Sequence, residues 1–235
     1  ASNRINDPGL AEQILAQGGA DLVSMARPLL ADPMLLNKYA SGQSALINTC
    51  IACNQGCLDE AFSGRLTTCM VNPRACRETE LRIEPTAKPK RIAVVGAGPG
   101  GLACAVTAAQ RGHEVTLYDA APVIGGQFNL ARLIPGKEEY SETLRYFSAE
   151  LVRLGVEQRL GERVASKSLL AAGFDHVVLA TGVAPRRPSW PGIEHPRVLR
   201  YADVIEGRTP VGARVAIVGA GGIGFDVAEL LSHEH

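Results

Sequence analysis

The chain has 235 residues, 46% of them apolar and 20% charged, with 24 Lys and Arg balancing 24 Asp and Glu. That is the composition of an ordinary folded protein large enough to bury a core, and it disfavours disorder. The charge balance leaves no electrostatic footprint for nucleic acid or an anionic membrane, and no apolar run approaches the ~20 residues that cross a bilayer, so neither is expected as a partner.

Asn6-Asp7-Pro8 opens a capped helix over residues 9–17, with Leu10, Ile14 and Leu15 turned inward. Residues 21–25 predict a short buried strand, Arg27-Pro28 a turn, and 29–39 another helix. Residues 43–80 carry cysteines and little periodicity, so a ligand-bearing loop region with short helical turns is expected. The polar stretch 84–90, with two prolines, is the clearest boundary in the chain. Beyond it the pattern becomes α/β: strand 92–95, glycine loop 96–101, helix 102–111, strand 114–118, amphipathic helix 138–154, buried strand 176–180, then strand 214–218 and a helix reaching the last residue. A strand–helix series without partners stands at each end and cannot complete a sheet, so a piece of a longer polypeptide is expected. Ala1-Ser2-Asn3-Arg4 does not read as a secretory signal.

Cys50, Cys53, Cys57 and Cys69 form a C-x2-C-x3-C-x11-C array. A cluster held by soft thiolates suits such an array, because one loop can wrap three ligands while a fourth arrives from a later turn. Gly56 would permit close backbone approach; Ile51, Ala52 and Leu58 would exclude water. Structural zinc is the main rival, but it pairs its ligands as two short knuckles, and Cys57 and Cys69 are twelve apart. Unrelated free thiols are the remaining alternative. Clustered thiols argue for a reducing compartment, the cytoplasm by default. Cys76 and Cys104 fall outside the array, Cys104 as a core residue.

Gly96-Ala97-Gly98-Pro99-Gly100-Gly101 fits the dinucleotide pattern G-x-G-x-x-G between a predicted strand and helix. Asp119 ends the next strand, where a carboxylate accepts from a ribose hydroxyl and disfavours a 2′-phosphate, so this site favours FAD or NAD(H) over NADP(H). A second match, with Gly219, Gly221 and Gly224, follows the apolar run 215–218. Between the two stand Ile124-Gly125-Gly126-Gln127 and Ala180-Thr181-Gly182, the layout of flavoproteins that nest a nicotinamide domain within an FAD domain. The histidines His113, His176, His195, His233 and His235 show no pairing with a nucleophile. Asp175 and His176 are adjacent on a strand and so point to opposite faces. Arg186-Arg187 is expected to be solvated, and Trp190 to anchor its loop.

Together with Ser2 through Pro8, residues 23–28, 48–57, 71–76, 124–129 and 219–226, these motifs make the whole chain resemble the bacterial 2,4-dienoyl-CoA reductases, iron–sulfur flavoenzymes of the old yellow enzyme group. The resemblance implies an α/β chain in four parts. Residues 1–42 would be the end of a TIM barrel, 43–84 a 4Fe-4S segment, 90–206 a Rossmann-like FAD-binding domain, and 207–235 the start of a nested NAD(P)H-binding domain. It further implies that Arg4, Ala26 and Arg27 contact FMN, that Asp119, Gln127 and the backbone near Val164 contact FAD alongside Gly96, Gly98 and Gly101, and that Gly219, Gly221 and Gly224 face NADPH. Electrons would run from NADPH through FAD and the cluster to FMN, which reduces a conjugated double bond in a small thioester substrate.

The family's proton donors lie in an earlier part of the barrel, so no catalytic acid is assigned here, and these 235 residues alone are expected to be inactive. Rivals of the same architecture are enoate or bile-acid enone reductases and amine dehydrogenases of the trimethylamine type. The latter carry two residues between the second and third cysteines, against three here, Asn54-Gln55-Gly56. An electron-transfer subunit without its own substrate site and a zinc-stapled nucleotide-binding module are readings from other classes.

Overall fold

The computed structural model describes residues 1–233; of the histidines read above, His235 lies outside them. The front third is helical and irregular: α1 (Pro8–Ala16), α2 (Arg27–Ala31), α3 (Leu35–Ala40), a 3-10 turn (Ser44–Leu46) and α4 (Leu58–Phe62). An α/β unit follows in the order β1 (Arg91–Val95), α5 (Pro99–Gln110), β2 (Glu114–Asp119), α6 (Phe128–Ala131), α7 (Tyr140–Arg153), β3 (Glu157–Leu160), α8 (Ser166–Ala171) and β4 (His176–Leu179). Two helices close the chain, α9 (Tyr201–Ile205) and α10 (Gly222–Ser232). Among the described residues no helix is long and apolar enough to cross a membrane.

The four strands form one parallel sheet in the order β3-β2-β1-β4. Alternation along β1 sorts its side chains. Ile92 and Val94 join Leu102, Val106, Leu117, Leu144 and Leu151 in the main core beneath α5 and α7, whereas Ala93 packs with Tyr118 and Leu169 on the other face. A third cluster, Ile134, Ile205 and Val227, seats α9 and α10 on the segment after α6. The mixed α/β class with a parallel sheet is thus as expected.

Several local expectations change. Residues 21–25 form no strand: Leu22 is 80% exposed, and the segment's backbone meets Ala1, whose carbonyl accepts from the Ser24 N–H at 2.8 Å and whose terminal ammonium donates to the Leu22 carbonyl. Residues 214–218 likewise form no strand, and Val218 is 77% exposed. A strand needs a ladder of backbone hydrogen bonds with a neighbouring strand, and neither segment has one among the described residues. β4 exists but is open on one side, leaving Leu179 exposed. The helix read over 29–39 is split because Asp32-Pro33 interrupts it, and Arg27-Pro28 opens α2 instead of making a turn. α1 is capped as read, Asp7 accepting from the Gly9 N–H at 2.9 Å, but it buries Pro8 and Ala11 while Leu10 and Leu15 are exposed. α10 ends at Ser232, short of the last residue. Trp190 is largely exposed and cannot anchor its loop by burial, and Arg187 pairs with Glu194.

Candidate functional site

The first glycine loop is built by two close backbone contacts. Gly96 sits at φ +113°, and a Cβ there would lie 2.2 Å from the Ala180 carbonyl oxygen. That contact explains the Ala180-Thr181-Gly182 strand end: the chain leaving β4 passes directly beneath the loop. A Cβ on Gly101 would lie 1.8 Å from the Gly96 carbonyl oxygen, so α5 can start only with glycine there. Gly98 differs. It is the N-cap of α5, with ordinary extended φ, and a Cβ on it would meet nothing within 4 Å. The free α5 amides and this open cradle face the space that a pyrophosphate fills in such folds.

The residues around that cradle converge. Asp119 accepts from the Ala97 N–H at 2.6 Å and from the Ala121 N–H at 2.7 Å, locking the end of β2 to the loop while leaving acceptor capacity for a hydroxyl. The Gly125 N–H donates to the Ala97 carbonyl, and a Cβ on Gly126 would lie 3.0 Å from Gly98 Cα, so the 124–127 loop closes over the cradle. Gln127 donates to the Val183 carbonyl at 3.2 Å. Val164 packs with Tyr118 and Leu169, two residues beyond Glu162, whose N–H donates to the Asp119 carbonyl. The second loop repeats the geometry: Gly221 is an open N-cap for α10, and a Cβ on Gly224 would lie 2.2 Å from the Gly219 oxygen.

Arg4 and, twenty-two residues later, Ala26 and Arg27 line a single cavity of about 210 Å³ together with Cys50, Ala52 and Glu139. Asn3 and Arg4 hold φ of 76° and 53°, a left-handed backbone that is costly for residues with a Cβ and tends to persist where function needs it. Arg4 pairs with Glu139 at 3.0 Å. Asn6 donates both to Glu139 at 3.2 Å and to the Cys50 carbonyl at 3.1 Å.

The four array cysteines line a second, smaller cavity with Arg27, Asn54 and Gly56, and all four are free thiols. Gly56 explains how the fourth arrives. A Cβ there would lie 3.2–3.3 Å from the backbone of Cys69 and Met70, and the Thr68 N–H donates to the Gly56 carbonyl at 2.7 Å. Ala52 and Asn54 are left-handed, at φ 51° and 61°, and the Ala52 N–H is bonded to the Cys50 sulfur. Burial pushes the Cys50 thiol up; the Ala52 N–H and the Arg27 guanidinium pull it back down, while Cys53 and Cys57 add to the rise. Cys69 is likewise raised by burial and moderated by the N–H groups of Val71 and Asn72.

Among the described residues no three His, Cys, Asp or Glu side chains converge as they would on one metal ion. A single zinc needs every sulfur ~2.3 Å from one point. Four free thiols line one cavity with the Arg27 guanidinium, a set of soft donors suited to a metal centre. Cys76 is exposed, and Cys104 is half-buried in the main core with its thiol raised by burial.

The two cavities share Arg27 and Cys50, and Arg27 donates to Asn54 at 2.5 Å within the thiol loop. The dinucleotide unit lines the first cavity with Glu139, the N-cap of α7, and reaches the stretch leading into Cys50 through Arg145. Sequence reasoning missed these connectors: Asn6, Asn48, Glu139 and Arg145. Asn48 ties the first cysteine stretch to the last by donating to the Val71 carbonyl at 2.7 Å. The signal in the sequence was that Asn6 and Asn48 fall inside the family-like runs 2–8 and 48–57; Glu139 and Arg145 read as surface charge on an amphipathic helix.

A metal reductase of Desulforamulus reducens is 43% identical to the chain over 236 residues, taking in 99% of this chain and 35% of its own length. A bilirubin reductase of Mediterraneibacter gnavus is 34% identical over 229 residues, 97% of this chain and 36% of its own. Among solved structures, a complex of 2-naphthoyl-CoA reductase with 2-naphthoyl-CoA matches with a TM-score of 0.94 and 39% identity, covering 98% of this chain and 35% of that one. The chain therefore spans little more than a third of the curated relatives it matches. Residues 90–233, more than half of the chain, match the family described as pyridine nucleotide-disulphide oxidoreductase, and the chain belongs to that family.

Proposed function

We propose that the chain is the electron-carrying section of an NADPH-dependent iron–sulfur flavoenzyme that reduces the conjugated double bond of a 2,4-dienoyl-CoA or closely related thioester. The observation that carries this reading is the sharing of Arg27 and Cys50 between the thiol cavity and the 210 Å³ cavity. Two groups bound there would be separated by single side chains. In this reading residues 1–42 end a TIM barrel, 43–84 hold the cluster, 90–206 bind FAD and 207–235 begin the nicotinamide domain. The compartment is cytoplasmic, and the substrate is a small molecule met by the rest of the same polypeptide.

The residues would act as follows. Arg4 and Arg27 supply cationic donors for an FMN phosphate, with Ala26 between them on the same rim. Cys50, Cys53, Cys57 and Cys69 would hold a 4Fe-4S cluster, and the amides of Ala52, Val71 and Asn72 would stabilise the thiolates on binding. Gly98 and the α5 amides would hold the FAD pyrophosphate, Asp119 the ribose, and Gly126 and Gln127 would cover it. Gly219, Gly221 and Gly224 would do the same for NADPH. When bound, these groups supply hydride acceptance and one-electron transfer; the chain supplies placement and a dry path.

The acyl-CoA ligand of the 2-naphthoyl-CoA reductase complex supports a thioester substrate. The three-residue spacing Asn54-Gln55-Gly56 favours this branch over an amine dehydrogenase of the trimethylamine type. An enoate or bile-acid enone reductase is the second reading, favoured by the same spacing. The test is an anaerobic absorbance titration of the full-length protein with NADPH and then NADH, alongside iron and acid-labile sulfide analysis. Two flavins per chain and a broad band bleached by nicotinamide are expected. Zinc without iron, or a band that neither nicotinamide bleaches, would overturn the relay.

A further inference from the structure

Arg145 lies on α7, in the middle of the dinucleotide unit, yet its guanidinium is bound almost wholly to the cysteine segment. Its Nη1 donates to the carbonyls of Ser44 and Ala45 at 3.2 and 2.6 Å, and its Nη2 to the Ile47 carbonyl and the Thr49 hydroxyl at 2.8 and 3.1 Å. Its Nε donates to Glu142 at 2.7 Å. A guanidinium has five N–H donors, and all five are used. Four of them reach 96–101 residues back along the chain, onto the six residues that lead into Cys50. Glu142 also accepts from Thr49, at 3.4 Å. The same stretch is held from its other side, where the Asn48 N–H donates to Asp32 at 2.9 Å and the Asn48 side chain to Val71.

Among the described residues, no other contact from the dinucleotide side holds the approach to Cys50 by as many hydrogen bonds. α7 itself is rigid, its Leu144 and Leu151 being buried in the core beneath the sheet. A fork with fixed geometry, mounted on a rigid helix, sets where residues 44–49 run and hence where Cys50 enters the thiol cavity.

We propose that Arg145 is a positioning residue for the thiol site, and that through it the dinucleotide unit serves as the template on which the cysteine segment takes its metal-binding shape. The iron part of its test rests on the cluster reading above; the backbone part does not.

The test compares Arg145→Ala and Arg145→Lys with the parent in the full-length protein. Three quantities are measured: FAD per chain, the rate of iron loss to a chelator, and hydrogen exchange of amides 45–50 after metal has been stripped. Loss of a group that orients metal ligands typically weakens metal binding about 10- to 100-fold. Arg145→Ala is accordingly expected to lose iron at least about tenfold faster and to exchange amides 45–50 faster by a similar factor, with FAD content unchanged. Arg145→Lys, with one compact ammonium, should rescue part of both effects.

Exchange and iron loss within about twofold of the parent, at full FAD content, would overturn the proposal. If Arg145→Ala does not accumulate as folded protein, Arg145→Lys is judged by the same criteria. If the parent holds no iron, the cluster reading fails by itself, and exchange at 45–50 still decides the role of Arg145.

Discussion

Two glycines of the first loop, three positions apart, make opposite demands on the chain. At Gly101 the space a methyl group would need is already taken by the Gly96 carbonyl, whereas at Gly98 it is open and backbone conformation imposes no restriction. Gly101→Ala is therefore an overpacking change that pushes α5 off β1, expected to cost on the order of 1–3 kcal/mol or more in the ligand-free protein. Gly98→Ala is expected to leave thermal unfolding of the ligand-free protein within about 0.5 kcal/mol of the parent while sharply reducing bound FAD. Unfolding curves and FAD per chain measure both, and Gly98→Ala protein with parental FAD content would refute the cradle assignment. Tyr146 offers a pH readout nearby. Burial first, then the Glu150 and Asp32 carboxylates, push its phenol up to about 12. The neutral phenol is favoured in the folded chain, so its contribution to stability is complete below the ordinary value of 10.0 and is lost as pH rises through about 12. An ultraviolet phenolate titration should show a last ionising step near pH 12, absent in Tyr146→Phe.

Helix α7 shows how one element serves two purposes. Leu144 and Leu151 are buried in the core with the strand residues, while Glu142 and Arg145, with Glu139 at the N-cap, are spaced three apart and form a polar row along the side of the cysteine segment and the 210 Å³ cavity. The stretch that row holds is tied to the front helices by Asp32, which is buried and accepts from Lys38 Nζ at 2.6 Å and from the N–H groups of Met34 and Asn48 at 3.0 and 2.9 Å. Asp32→Ala would leave buried donors unpaired, and a loss of about 1–3 kcal/mol in urea unfolding is expected, smaller for Asp32→Asn. A loss under about 0.5 kcal/mol would show that this joint is not structural.

What could be read from the sequence follows from how local each signal is. β1, β2 and both glycine loops announce themselves through apolar runs and fixed glycine spacing. β3, with the sequence Glu157-Gln158-Arg159-Leu160, does not: it is a charged edge strand defined by its pairing to β2. The array cysteines were legible because close spacing carries their chemistry. Arg145 and Glu139 were not, because their partners lie about a hundred residues or more away, and a long-range contact leaves no trace in local pattern.

At the scale of the whole molecule the three sites are joined by different means, and the differences make the assembly separable. The second loop is fastened to the first unit through α10, by the Lys137–Asp226 pair at 2.5 Å and the Ile134, Ile205 and Val227 cluster. The thiol site is fastened through polar contacts from α7 and Glu139, and none of the four array cysteines belongs to the sheet core. Removing a thiol should therefore leave the nucleotide sites standing. In Cys69→Ser, the raised and amide-moderated thiol becomes a hydroxyl that cannot serve as a soft ligand at neutral pH. Full-length protein carrying this change is expected to hold FAD at the parental ratio and to pass electrons from NADPH to an artificial acceptor. Its iron and sulfide should fall to a small fraction of the parent's, and thioester reduction should fall with them. Iron analysis, FAD absorbance and two steady-state assays separate these outcomes. Thioester reduction at the parental rate in iron-free protein would mean that electrons reach the 210 Å³ cavity by a route that bypasses the cysteines, and the shared Arg27 and Cys50 wall would lose its assigned role.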